Sequence, residues 1–176
     1  DILSQFLVKI PNDINGCRGL LRASRQYYKR AMHRESVECL VNAIDDLRRH
    51  RSVEGNRLFL EATRYYFNSA LARGESQWSH SVLKEAIRRA GLLNDKAQLA
   101  IMHMHMVGNQ WQNGNMQGFH SHFEKARSLS REISDPKYIR AIDFSCVTYF
   151  CWQGLNRETV KNYEQLVQDI DILPND

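Results

Sequence analysis

Glycine and proline are scarce, nine and three in 176 residues. That excludes a collagen-like chain, argues against disorder, and leaves too few turn-formers for a tight-turned all-β protein. No apolar run nears the roughly 18 residues that a membrane-spanning helix needs, which excludes a transmembrane reading. The sequence has no GxSxG, Walker A or HExxH, and its adjacent carboxylates Asp45 and Asp46 point to different helix faces. No catalytic residue and no cofactor are therefore assigned, and the chain is read as not an enzyme. CxxC is missing too. The four cysteines, Cys17, Cys39, Cys146 and Cys151, have no histidine at zinc-finger spacing. They read as reduced thiols, three of them in apolar helical patterns, in a cytoplasmic protein. The opening Asp1-Ile-Leu-Ser carries neither an initiator Met nor a basic n-region, so it is expected to belong to a longer polypeptide rather than to a signal peptide.

What is present is 43% hydrophobic and 25% charged residues, with a net charge of +4. The charge is uneven. Residues 1–90 hold 16 Lys and Arg against 10 Asp and Glu, whereas residues 91–176 hold 8 against 10. This asymmetry suits an acidic partner or an acidic neighbouring domain, but falls short of a dedicated nucleic-acid binder.

An internal period organises the chain. Gly74, Gly114 and Gly154 stand 40 residues apart, and a further step back reaches Arg34. Apolar residues recur at fixed offsets from these four positions. Seven before stand Tyr27, Phe67, Val107 and Val147; three before stand Ala31, Leu71, Trp111 and Cys151. Nine after stand Ala43, Leu83, Phe123 and Tyr163. Twelve after, Ala86, Ala126 and Leu166 agree, and Asp46 breaks the column. Offsets of this kind are helix-face spacings on either side of a turn. They predict four helix–turn–helix repeats over about 14–50, 56–91, 94–133 and 135–171, within a domain spanning 14–176. Residues 1–13 are expected to be a separate segment or the end of a preceding helix. Asn94 is expected to cap the third repeat, and Asp135-Pro136 the fourth. β-branched alternation is absent, so no strands are predicted.

The helix–glycine turn–helix unit, with an apolar residue nine and an Ala twelve positions beyond the glycine, resembles the tetratricopeptide repeat. Gly114, Phe119, Phe123 and Ala126 match its second-helix pattern best. The period of 40 is more similar to the long tetratricopeptide-like repeats of bacterial transcription and signalling regulators. The resemblance implies an all-α, right-handed α-solenoid of about four repeats, acting in protein–protein interaction within a larger cytoplasmic regulator. It further implies a concave partner surface made by first-helix residues ten and six positions before each turn. These are Ser24, Arg64, Met104 and Phe144, then Tyr28, Asn68, Gly108 and Thr148. Arg64 and Asn68, at i,i+4, share a face and can clamp a carboxylate or a backbone carbonyl.

Two further constellations stand out. His103-Met-His105 and His120-Ser-His122 face one another across the Gly114 turn. Residues i,i+2 on a helix diverge by about 200°, so at most one from each helix can converge, and no metal site is assigned. Arg18, Arg22, Arg25 and Lys29 are spaced four, three and four, and form a basic patch on the first helix. Its bland reading is a solvated face. Its functional readings are an acidic peptide, a neighbouring domain or nucleic-acid contact. Self-association through an uncovered end repeat is the remaining alternative.

Overall fold

The structure is a computed structural model. It describes the backbone of residues 13–70 and 76–171, and the side chains of 13–68 and 79–164. Eight helices follow one another among the described residues: α1 Ile14–Lys29, α2 His33–Leu47, α3 Val53–Ala70 and α4 Ser76–Leu92, then α5 Lys96–Gln112, α6 Met116–Ser130, α7 Pro136–Trp152 and α8 Asn156–Asp171. No strand occurs among these residues, and the fold is an all-α assembly of packed helices. Each helix packs on the next, while α1, α3, α5 and α7 also touch in succession. Gly74 and Leu71 lie outside the described residues, as does residue 1–12 of the expected N-terminal segment; the side chain of Leu166 does too.

The helix starts follow local side-chain chemistry. The carboxylate of Asp13 accepts from Asn15 N at 3.0 Å, that of Asp95 from Gln98 N at 3.0 Å, and that of Asp135 from Lys137 N at 2.9 Å. Asn115 Oδ1 accepts from Gly118 N at 3.1 Å. Each satisfies an amide that has no partner within its own helix. Asp95, not Asn94, caps α5. Asn94 instead takes a left-handed conformation (φ 51°) that ends α4.

The helix ends correct the 40-residue frame. Gly114 and Gly154 have φ of 69° and 68°, and the amide after each reaches five residues back, Asn115 N to Gln110 O and Leu155 N to Phe150 O. This is the Schellman ending, which glycine enters without steric cost. The same pattern closes α1, with Ala31 at φ 58° and Met32 N donating to Tyr27 O. The first turn therefore centres on Ala31, three residues before Arg34, and Arg34 lies inside α2. In the corrected register Leu40 is nine and Ala43 twelve beyond the turn, both fully buried like Phe123 and Ala126. Asp46 no longer belongs to the column.

The core runs along the inner faces of the helices. Leu20, Leu40, Ile44, Leu47, Phe59, Leu83, Met102 and Phe119 are among its members. Tyr149 stacks on Phe123 with ring centroids 3.6 Å apart and on Phe119 at 4.6 Å, tying α7 to α6. Burial pushes the thiols of Cys17 and Cys39 up to about 11 and that of Cys146 up to about 12, as expected of core thiols. Cys151 is exposed.

One charged side chain belongs to this core. Arg89 of α4 is fully buried, lying 4.0 Å over the Phe59 ring. Its Nη1 donates to the carbonyls of Leu47 and His50, its Nη2 to that of Arg48, each at 3.0 Å. Its Nε donates to Glu85 at 2.7 Å. The carbonyls of Leu47, which also accepts from His50 N at 3.1 Å, of Arg48 and of His50 are thus capped by a cation from two helices further on.

Candidate docking groove

The first helices of the α3/α4, α5/α6 and α7/α8 pairs enclose a concavity of about 510 Å³, within the usual range for ligand sites. α5 lies between α3 and α7, since it touches both. It forms the floor, with Ile101, Met104, His105, Val107 and Gly108. α3 supplies Arg64, Phe67 and Asn68 to one wall. α7 supplies Lys137, Tyr138, Phe144, Thr148 and Trp152 to the other. The spacing is helical: Arg64 and Asn68, Met104 and Gly108, and Phe144 and Thr148 are each i,i+4 pairs on one face. Trp152 stacks on Trp111 with centroids 5.6 Å apart and rings 11° from parallel, which fixes the far end of the cavity. A Cβ at position 108 would stand 3.7 Å from Trp152, so glycine leaves open the room beside that ring.

Six of the eight first-helix residues singled out by sequence line this cavity: Arg64, Asn68, Met104, Gly108, Phe144 and Thr148. Ser24 and Tyr28 do not. Ser24 is buried, its hydroxyl 3.0 Å from that of Ser36 on α2. Tyr28 is half-exposed at the end of α1, edge-on to the His33 ring. No residue of α1 lines this cavity, and the positions ten and six before Ala31 in the corrected register, Leu21 and Arg25, lie outside it as well.

The basic patch is split. Arg18 pairs with Glu54 and Arg25 with Glu61, so two cations of α1 meet two carboxylates of α3 with the same seven-residue spacing. Arg25 also lies 4.9 Å over the Tyr65 ring. Arg22 and Lys29 remain on the exposed surface. Half of the patch is therefore a contact between helices, which weakens it as a nucleic-acid surface.

Of the histidine pairs, one residue from each helix converges. His103 Nδ1 stands 2.8 Å from His122 Nδ1, so one ring donates and the other accepts. Burial first, then the neighbouring His122, pushes His103 down to about 4. His120 Nδ1 is 2.9 Å from the Tyr149 hydroxyl. No group of three metal-ligating side chains gathers among the described residues.

His105 is the groove residue whose role sequence reasoning missed. It stacks on Phe67 with centroids 5.4 Å apart, and its Nε2 is shut off from solvent with no hydrogen-bond partner. Burial, then the nearby Arg64 cation, pushes it down to about 4, so it is neutral near pH 7. The only sequence signal was its position one residue beyond Met104, within a first helix.

No protein-family model matches the chain, and no curated protein matches it significantly. No helix among the described residues is long and apolar enough to cross a membrane.

Proposed function

We propose that the chain is a protein–protein interaction module, a tetratricopeptide-like right-handed solenoid of four helix pairs. In this reading a segment of a partner protein lies in the α3–α5–α7 groove. The module serves as the regulatory or partner-docking domain of a larger cytoplasmic signalling or transcription-regulatory protein. The observation that carries the reading is the groove itself. Three successive first helices turn i,i+4 pairs into one cavity with a largely apolar floor and walls that mix aromatic rings with cations, an amide and a hydroxyl, the lining that peptide grooves use. The 61% exposure of Phe144 adds to this, because a large ring on a groove wall is a ready anchor for a partner.

Selection from a random peptide library tests it, with wild-type protein and an Asn68→Ala/Phe144→Ser variant as baits. Both altered side chains are exposed, so folding is expected to be preserved. Enrichment by the wild type alone supports the groove. Equal enrichment by both baits, or none by either, refutes it.

A second reading, self-association through the end of the array, rests on α8. Tyr163 stands nine residues beyond Gly154, where the matching Leu40 and Phe123 are buried, yet it is 55% exposed. Val160 and Leu155 are exposed beside it. Light scattering across concentration decides this reading: a mass that doubles, and returns to monomer in Val160→Lys/Tyr163→Lys, supports it; a constant monomer mass excludes it.

A further inference from the structure

The groove carries charge of one sign. Arg64 on the α3 wall and Lys137 on the α7 wall line it, and no Asp or Glu does. Neither cation has a carboxylate within ion-pair distance among the described residues. Arg18 and Arg25 are matched by Glu54 and Glu61, Arg51, Arg88 and Arg89 share Glu85, and Lys96 meets Glu132. No carboxylate lines the groove, which thus keeps two cations without an ion-pair partner among the described residues beside a largely apolar floor.

Resting on the docking reading above, we propose that the occupant of the groove is an acidic amphipathic peptide. Its apolar side chain fills the space between Met104, Phe144 and Trp152. Its carboxylates meet Arg64 and Lys137. Charge complementarity of this kind sets specificity and the rate of encounter as much as affinity.

The test takes one synthetic peptide from the wild-type selection and follows its binding by fluorescence of the groove tryptophan. Selected peptides are expected to be enriched in Asp and Glu over the starting library. Affinity is expected to fall about tenfold or more in Arg64→Gln/Lys137→Gln, and to weaken with added salt. The Arg22→Gln/Lys29→Gln variant, which removes equal charge outside the groove, is expected to bind as the wild type does. Groove-dependent selection of neutral or basic peptides, or equal loss in both charge variants, would overturn the acidic occupant and leave the docking reading standing. Selection that does not depend on the groove would overturn both.

Discussion

Arg89→Met tests the packing account most severely. The methionine keeps the stem over Phe59 and removes every donor. The carbonyls of Arg48 and His50 lose the donor that Arg89 supplies, that of Leu47 keeps only the His50 amide, and Glu85 loses its buried partner. Breaking a buried charged network from one side costs about 3–5 kcal/mol, because the groups left behind stay desolvated. In a chain of this size each kcal/mol moves the midpoint by about 2–4 °C. Thermal unfolding followed by circular dichroism is therefore expected to shift down by roughly 6–20 °C. The control is Arg88→Met on the same helix. Arg88 pairs with the same Glu85 at 2.8 Å but from the exposed side, and exposed pairs contribute little. Its midpoint is expected to stay almost where it is. If Arg89→Met and Arg88→Met were to melt together, the claim that α4 caps α2 would fail.

The first turn gives a second prediction. Ala31 occupies a left-handed conformation (φ 58°) that costs a side chain about 1–2 kcal/mol. Glycine gives back about 0.4–1 kcal/mol through its freer unfolded chain, so Ala31→Gly is expected to stabilise by about 0.5–1 kcal/mol in urea titration. Gly114→Ala is expected to destabilise by a similar amount; the opposite signs would refute the register correction. The histidines give a third. His103 and His105 are held at about 4 in the folded chain, so the unfolded chain binds more protons between that value and its ordinary 6.5. Stability is then full above the unfolded value and is lost as pH falls through the window, by an amount on the order of 3 kcal/mol per histidine. Between pH 6.5 and 5, above the range of ordinary carboxylates, His103→Asn is expected to flatten the slope; an unchanged slope contradicts the assignment. Phe123→Ala, which empties the stack under Tyr149, is expected to cost about 3–5 kcal/mol in the same titration. A cost below 1 kcal/mol would show that the α6–α7 contact is looser than described.

The helices were legible because the apolar period of 3.6 is written into each of them, and six groove residues followed from Gly74, Gly114 and Gly154. The first turn was not, because alanine there adopts the conformation that glycine would have advertised. That silent substitution misplaced the register of the first repeat, and Ser24 and Tyr28 fall outside the cavity because no residue of α1 lines it. The pairing of Arg18 and Arg25 was hidden for another reason. It depends on Glu54 and Glu61 of a helix whose alignment with α1 is set by packing, not by local spacing. Arg89 left a trace, since it falls on the apolar stripe of Leu83, Ala86 and Ala90, a place where a cation must find partners. The identity of those partners, carbonyls some forty residues earlier, comes only from the fold.

The central claim is that the α3–α5–α7 groove is where a partner docks. Methyl and amide chemical shifts, followed during titration with a peptide from the wild-type selection, test it most directly. The account predicts saturable shifts at Ile101, Met104, Ile142, Phe144 and Thr148, with little change at Val160 and Tyr163. Shifts confined to α8, or to Arg22 and Lys29 of α1, would contradict it.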